Sequence, residues 1–231
     1  MKKRTILILA LLLAFGVAFL ALFSPGNNQL ENKVIPSQKI NESSAPQETA
    51  PEQNKSKMQA ENKTPDFLPP LYRSKERIMK KPFGFFVSPQ NSPVQPEHFT
   101  GYHTGTDFEI FPGEENMDIP VKAVCSGKLL IKKYATGYGG VAVESCSLNG
   151  EPITVVYGHL KLSSINYSAS DKINIGDTLG ILGQGYSSET SGERKHLHLG
   201  FHKGKSINIL GYVQNQSELS GWLDPCLYVC E

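Results

Sequence analysis

Apolar residues fall into three regimes along the 231-residue chain. Thr5 to Phe23 is an unbroken, uncharged apolar run behind the basic start Met1-Lys2-Lys3-Arg4. Residues 24–80 are rich in Asn, Gln, Lys, Glu, Ser and Pro, with sparse apolar positions and no sustained period. From Lys81 onward, short apolar stretches alternate with clusters of Gly, Asn, Asp and Ser, as in PFGFFVS, GVAVESC, ITVVYGHL, TLGILG and KHLHLGFH. Val, Ile, Tyr and Phe dominate these stretches and turn residues recur at short spacing, which predicts strands. No long stretch carries a 3.6-residue period. The expected fold of residues 81–231 is therefore all-β with an antiparallel β-sheet core, and about 150 residues suffice for one packed core.

The first regime reads as a membrane segment. Its 19 residues would span roughly 28 Å as a helix, close to the thickness of a bilayer's hydrocarbon core. A secretory h-region is shorter and ends in a small-x-small cleavage site, whereas this run ends Ala21-Leu22-Phe23-Ser24-Pro25. The expectation is a retained transmembrane signal anchor over 5–23, with a cleaved signal peptide as the alternative. No cysteine follows the run, which argues against a lipoprotein anchor. Residues 1–4 form a basic flank that stays cytoplasmic, so the remainder is extracytoplasmic in either case. Residues 24–80 bury too little to offset their ordering entropy and are expected to be a disordered tether. Such a tether has a random-coil span of roughly 40 Å. A pro-segment covering the site is the other reading.

Charge narrows the function classes. Lys and Arg number 23 against 22 acids, a formal net charge of +1, which leaves no broad basic footprint for nucleic acid. Gly (21) and Pro (15) are too few for a collagenous or wholly disordered chain. The four cysteines, Cys125, Cys146, Cys226 and Cys230, lack zinc-ribbon spacing, and export favours disulfides over a zinc cluster. Folding a hairpin about residues 135–136 brings Cys125 and Cys146 nearly opposite each other, on adjacent predicted strands. The expected bridges are Cys125–Cys146 and a local Cys226–Cys230 loop, with free buried thiols as the alternative.

Histidines carry the candidate chemistry. In Gly-Tyr-His-Thr-Gly-Thr-Asp, residues 101–107, His103 and Asp107 share strand parity, so an imidazole and a carboxylate converge on one face as suitable zinc ligands. In Lys-His-Leu-His-Leu-Gly-Phe-His, residues 195–202, His196, His198 and His202 share one parity and Leu197, Leu199 and Phe201 the other. That pattern makes one polar face and one core face, on which one imidazole can hold a metal while its neighbour faces substrate. His159 follows an apolar strand in Val-Tyr-Gly-His-Leu, residues 156–160. Taken singly, each of these contexts is compatible with a structural histidine; their joint occurrence in one exported β domain is specific.

The pattern GxHxGxD, then YGHL, then HLH followed by glycine, resembles the lysostaphin/LytM-type zinc metallopeptidases, metallopeptidase family twenty-three. Asp118-x-Pro120-Val121-x-Ala123-x-x-x-Gly127, the Gly-Tyr-Gly-Gly turn at 137–140 and Gly176-Asp177-x-x-Gly180 extend the likeness over roughly residues 82–225. The resemblance implies a barrel-sandwich hybrid-like β domain with one zinc. It implies His103, Asp107 and His198 as metal ligands with an open fourth position, and His159 and His196 as catalytic histidines. Which of the two is base and which electrophile stays open. The His-Glu-x-x-His helix motif, with its Glu base, does not occur.

Weaker candidates are His202, as a support to a ligand or an exposed strand end, and His98, as a loop residue. Tyr102, Tyr157 and Trp222 are expected to be packed. The polar stretch Gly183 to Arg194 is expected to form a loop beside the cleft that shapes specificity. The implied function is a membrane-anchored zinc metalloendopeptidase cutting peptidoglycan stems or cross-bridges outside the cytoplasmic membrane. The alternatives are a non-catalytic cell-wall scaffold or activator, and a metallopeptidase of other extracytoplasmic peptides.

Overall fold

A computed structural model describes residues 66–230. The basic flank, the transmembrane expectation over 5–23 and most of the tether lie outside the described residues, among which no helix is long and apolar enough to cross a membrane. The described chain is mostly β, as its apolar stretches predict. In order, the strands are β1 (Phe86–Val87), β2 (Gly101–His103), β3 (Gly105–Glu109), β4 (Pro120–Lys122), β5 (Gly127–Ala135) and β6 (Gly139–Leu148). They continue with β7 (Glu151–Gly158), β8 (Lys172–Ile173), β9 (Thr178–Ile181), β10 (His196–Lys203), β11 (Tyr212–Val213) and β12 (Trp222–Leu223). A single α-helical turn, α1 (Cys226–Val229), follows the last strand.

The largest sheet runs β12-β10-β7-β6-β5-β8, with β3 also pairing β10. Small sheets β1-β2-β11 and β4-β9 flank it. Every recorded pairing is antiparallel. The long strands β6 and β7 are covered on both faces, so alternate residues feed two cores. Ala142, Cys146, Val155 and Tyr157 join Leu197, Leu199 and Phe201 in the main core. Val141, Val143 and Val156 join Tyr138 and Trp222 on the other face. The face of β10 expected to be apolar is thus wholly buried, and its histidines lie on the opposite face.

Both expected disulfides are present. Cys125 and Cys146 stand with Cα atoms 6.1 Å apart, and Cys226 and Cys230 at 4.7 Å. Cys125 precedes β5 rather than lying on a strand, but the β5–β6 register, with Lys128 opposite Ser145, still carries it towards Cys146.

The expected tether boundary at residue 80 is corrected by the structure. Phe67 and Leu71 belong to the main core, and the Phe67 ring lies 5.5 Å from that of Phe201. Leu68 N donates to Val124 O and Lys122 N to Pro70 O, both at 2.9 Å. Arg77 is buried, donating to Glu109 O at 3.1 Å and gripping both oxygens of Glu114. Composition misjudged this segment because two apolar anchors and one paired guanidinium hold it. Such isolated contacts leave no periodic trace in the sequence.

Candidate metal centre

The register of β3 on β10 builds the site. His198 is the direct partner of Asp107, and His196 that of Glu109. The even spacing within each strand places all four on one face. His103 reaches the same point from the end of β2. His103 Nε2 lies 3.0 Å from His198 Nδ1 and 3.2 Å from Asp107 Oδ1. His198 Nδ1 is likewise 3.2 Å from Asp107 Oδ1. The three predicted ligands therefore form a triangle, and all three are buried.

Gly105 permits the close approach of the strands. A Cβ there would lie 2.3 Å from Leu199 O and 2.8 Å from the His198 ring, so the second glycine of GxHxGxD is a steric requirement. Residues ahead of β1 hold the ligands from behind. His103 Nδ1 lies 3.2 Å from Pro82 O, and Asp107 N donates to Lys81 O at 3.0 Å. A carbonyl only accepts, so His103 Nδ1 carries the proton and Nε2 turns a lone pair towards Asp107 and His198.

These atoms fit a zinc ion. Two ligands of a tetrahedral zinc at 2.0–2.1 Å stand about 3.3 Å apart, close to the observed edges. Two imidazole nitrogens and a carboxylate oxygen are a borderline metal's donor set, with the chemistry of an open catalytic site. Protonation states agree. Burial pushes His198 down to about 4 against the opposing hydrogen bond to Asp107.

The predicted catalytic histidines stand beside this triangle. His196 Nδ1 lies 2.9 Å from Arg194 O, which fixes the proton on Nδ1 and leaves Nε2 as the basic atom, 3.3 Å from Asp107 Oδ2. His159 follows β7, whose alternation would send it to the core side with Tyr157. Its φ of 62° breaks that alternation, and its ring centroid lies 4.1 Å from that of His196. Burial, reinforced by His196, holds His159 well below the usual histidine range. Its Nδ1 has no hydrogen-bond partner among the described residues.

Asp107, His159, His196 and His198 line one cavity of about 420 Å³. Its walls include Tyr138, Phe99 and Tyr212, the last two stacked at 5.2 Å. Lys81 also lines it, paired with Glu97 at 2.5 Å and donating to Tyr212 Oη at 3.2 Å. The loop 183–194 borders the cavity through Glu193 and Arg194.

The other sequence candidates lie elsewhere. His202 sits at the end of β10 with its ring edge-on to Trp222 at 4.8 Å, and Trp222 is buried as expected. His98 is an exposed loop residue. Tyr102 packs on Phe86. Tyr157 Oη is internal, donating to Glu144 at 2.7 Å.

Sequence reasoning missed Lys81, Glu97, Glu109 and Tyr212. Only Glu109 left a signal, since it shares parity with Asp107. Arg194 was visible only as the end of a polar loop.

Residues 101–209 match the family model described as peptidase family M23. Endolysin 2638A of Staphylococcus phage 2638A is 31% identical over 121 residues, which cover 52% of this chain. The chain spans 23% of that endolysin's length. Among solved structures, the catalytic domain of the antimicrobial peptidase lysostaphin from Staphylococcus simulans aligns with a TM-score of 0.44 and 22% identity, covering 67% of this chain and 93% of that one. LytU aligns with a TM-score of 0.43 and 23% identity, covering 65% and 84%.

Proposed function

Because this chain belongs to peptidase family M23, we propose that it is a zinc metalloendopeptidase hydrolysing peptide bonds in peptidoglycan stems or cross-bridges. The observation that carries the reading is the convergence of His103 Nε2, Asp107 Oδ1 and His198 Nδ1 within 3.0–3.2 Å of one another at a cavity. These three residues would hold one zinc, which when bound supplies Lewis acidity and brings the pKa of water towards about 7.

The chain's own residues divide the remaining work. His196 presents an unprotonated Nε2 to the cavity and is placed to take a proton from the attacking water. His159, held neutral by burial, is placed to donate a hydrogen bond to the developing oxyanion, and the proton that His196 takes up is the one available to the leaving amine. Phe99 and Tyr212 offer an aromatic wall for the peptide. The two disulfides suit an oxidising compartment. Anchoring by residues 5–23 would place the domain beside the wall, outside the cytoplasmic membrane.

The test uses the full chain, exported and extracted in detergent. Bound zinc is measured together with muropeptide release from purified sacculi. One zinc per chain, with release abolished by His198→Ala, is the expected result. Folded protein that binds no zinc and releases nothing would overturn the peptidase reading in favour of a wall-binding scaffold. Zinc-dependent cleavage of other peptides, with intact sacculi untouched, would overturn the substrate class.

A further inference from the structure

The geometry points to Arg194 as a positioning residue that fixes Asp107 in its ligand orientation by bracing it against Glu109. This rests on the proposed zinc site. The two oxygens of Asp107 have separate duties. Oδ1 faces His103 Nε2 and His198 Nδ1. Oδ2 accepts from Arg194 Nη2 at 2.9 Å. The same guanidinium donates through Nε to both oxygens of Glu109, at 3.0 and 2.9 Å.

Glu109 lies two residues beyond Asp107 on β3, so the two carboxylates are neighbours on one face. Both are buried, and Arg194 is only 6% exposed. Two adjacent anions in a medium of low dielectric repel each other strongly. A guanidinium between them relieves that repulsion and, being planar, transmits the fixed position of one carboxylate to the other. Lys80 reaches Glu109 from outside at 3.4 Å but is 39% exposed, and Arg77 contacts only the Glu109 backbone oxygen. Neither substitutes for Arg194 at Asp107. With the guanidinium in place, Asp107 cannot rotate Oδ1 away from the two imidazoles without breaking a buried charged hydrogen bond.

Arg194 also accepts from His196 Nδ1, but through its backbone carbonyl. A side-chain substitution therefore removes the brace on the ligand and leaves that hydrogen bond available. The two contributions of one residue are experimentally separable.

The test compares Arg194→Gln, Arg194→Lys and the double variant Arg194→Met/Glu109→Met with the wild type, all as full chains. The double variant removes one charge of each sign, which guards against failure to fold around an unpaired Glu109. Zinc affinity is read by chelator competition, folding by melting of the zinc-free protein, and kcat and KM at saturating zinc. The expected result is a 10–100-fold loss of zinc affinity in Arg194→Gln and in the double variant. Arg194→Lys should recover part of it, and the loss of turnover should fall on kcat rather than KM. A folded double variant with wild-type zinc affinity and kcat would overturn the role of Arg194 while leaving the peptidase reading standing. A folded wild type that binds no zinc would overturn both.

Discussion

His198 Nδ1 and Asp107 Oδ1 stand 3.2 Å apart because their residues are direct partners across the β3–β10 ladder. Their separation is thus a property of strand register, and Gly105 is what lets the strands approach. Gly105→Ala would place a Cβ 2.3 Å from Leu199 O. Overpacking of this kind costs roughly 1–3 kcal/mol, and here it would also press on the His198 ring, 2.8 Å from the added Cβ. We expect a lowered melting temperature and a loss of zinc stoichiometry in the same variant. Full zinc occupancy in Gly105→Ala would show that the ladder tolerates a wider gap.

His159 touches the site from a left-handed turn and makes no contact in the ligand triangle. His159→Ala should keep zinc and lose turnover by about 10²–10³-fold, the usual contribution of one donor to a developing oxyanion. Metal analysis and muropeptide release on one preparation check this. An active His159→Ala enzyme would remove the residue from the mechanism.

Phe67 anchors the segment that leads to Lys81 and Pro82, whose carbonyls hold Asp107 and His103. Phe67→Ala should cost about 3–5 kcal/mol, read by denaturant unfolding. A truncated chain beginning at Lys81 should likewise be less stable than the full chain and bind zinc more weakly. Equal stability of the two would mean that the packing of residues 66–80 is dispensable.

Glu144 is buried beside the Cys125–Cys146 bridge, and burial pushes its carboxyl up to about 8, against the hydrogen bond from Tyr157. A carboxyl raised on folding favours the native state fully below its unfolded value near 4.5. That advantage is lost as pH rises through about 8, on the order of 1.4 kcal/mol per pH unit within the window. Melting temperature should therefore fall between pH 5 and pH 8 (about the range of the shift). Glu144→Gln should flatten the profile. An unchanged slope in Glu144→Gln would assign the pH dependence to other groups.

Much of the site was legible before any coordinates. The alternation in residues 195–202 separated the histidine face from the Leu197, Leu199 and Phe201 face, because a strand's side chains alternate strictly. The even spacing of His103 and Asp107 predicted an imidazole and a carboxylate together, and the two do meet, but from strands of two different sheets divided at Thr104. The Cys125–Cys146 pairing followed from one hairpin.

What tertiary structure alone decided lies in contacts between distant segments. The expected boundary at residue 80 failed because Phe67, Leu71 and Arg77 are held by partners far along the chain. Arg194 gained its place between Asp107 and Glu109 only through the pairing of β10 with β3. His159 entered the site through a backbone turn that interrupts the alternation. The sequence by itself determined which residue types the strands present and on which face, because those follow from local periodicity. Which of them meet, which are buried and which brace a ligand depends on register and long-range packing, and those exist only in the folded chain.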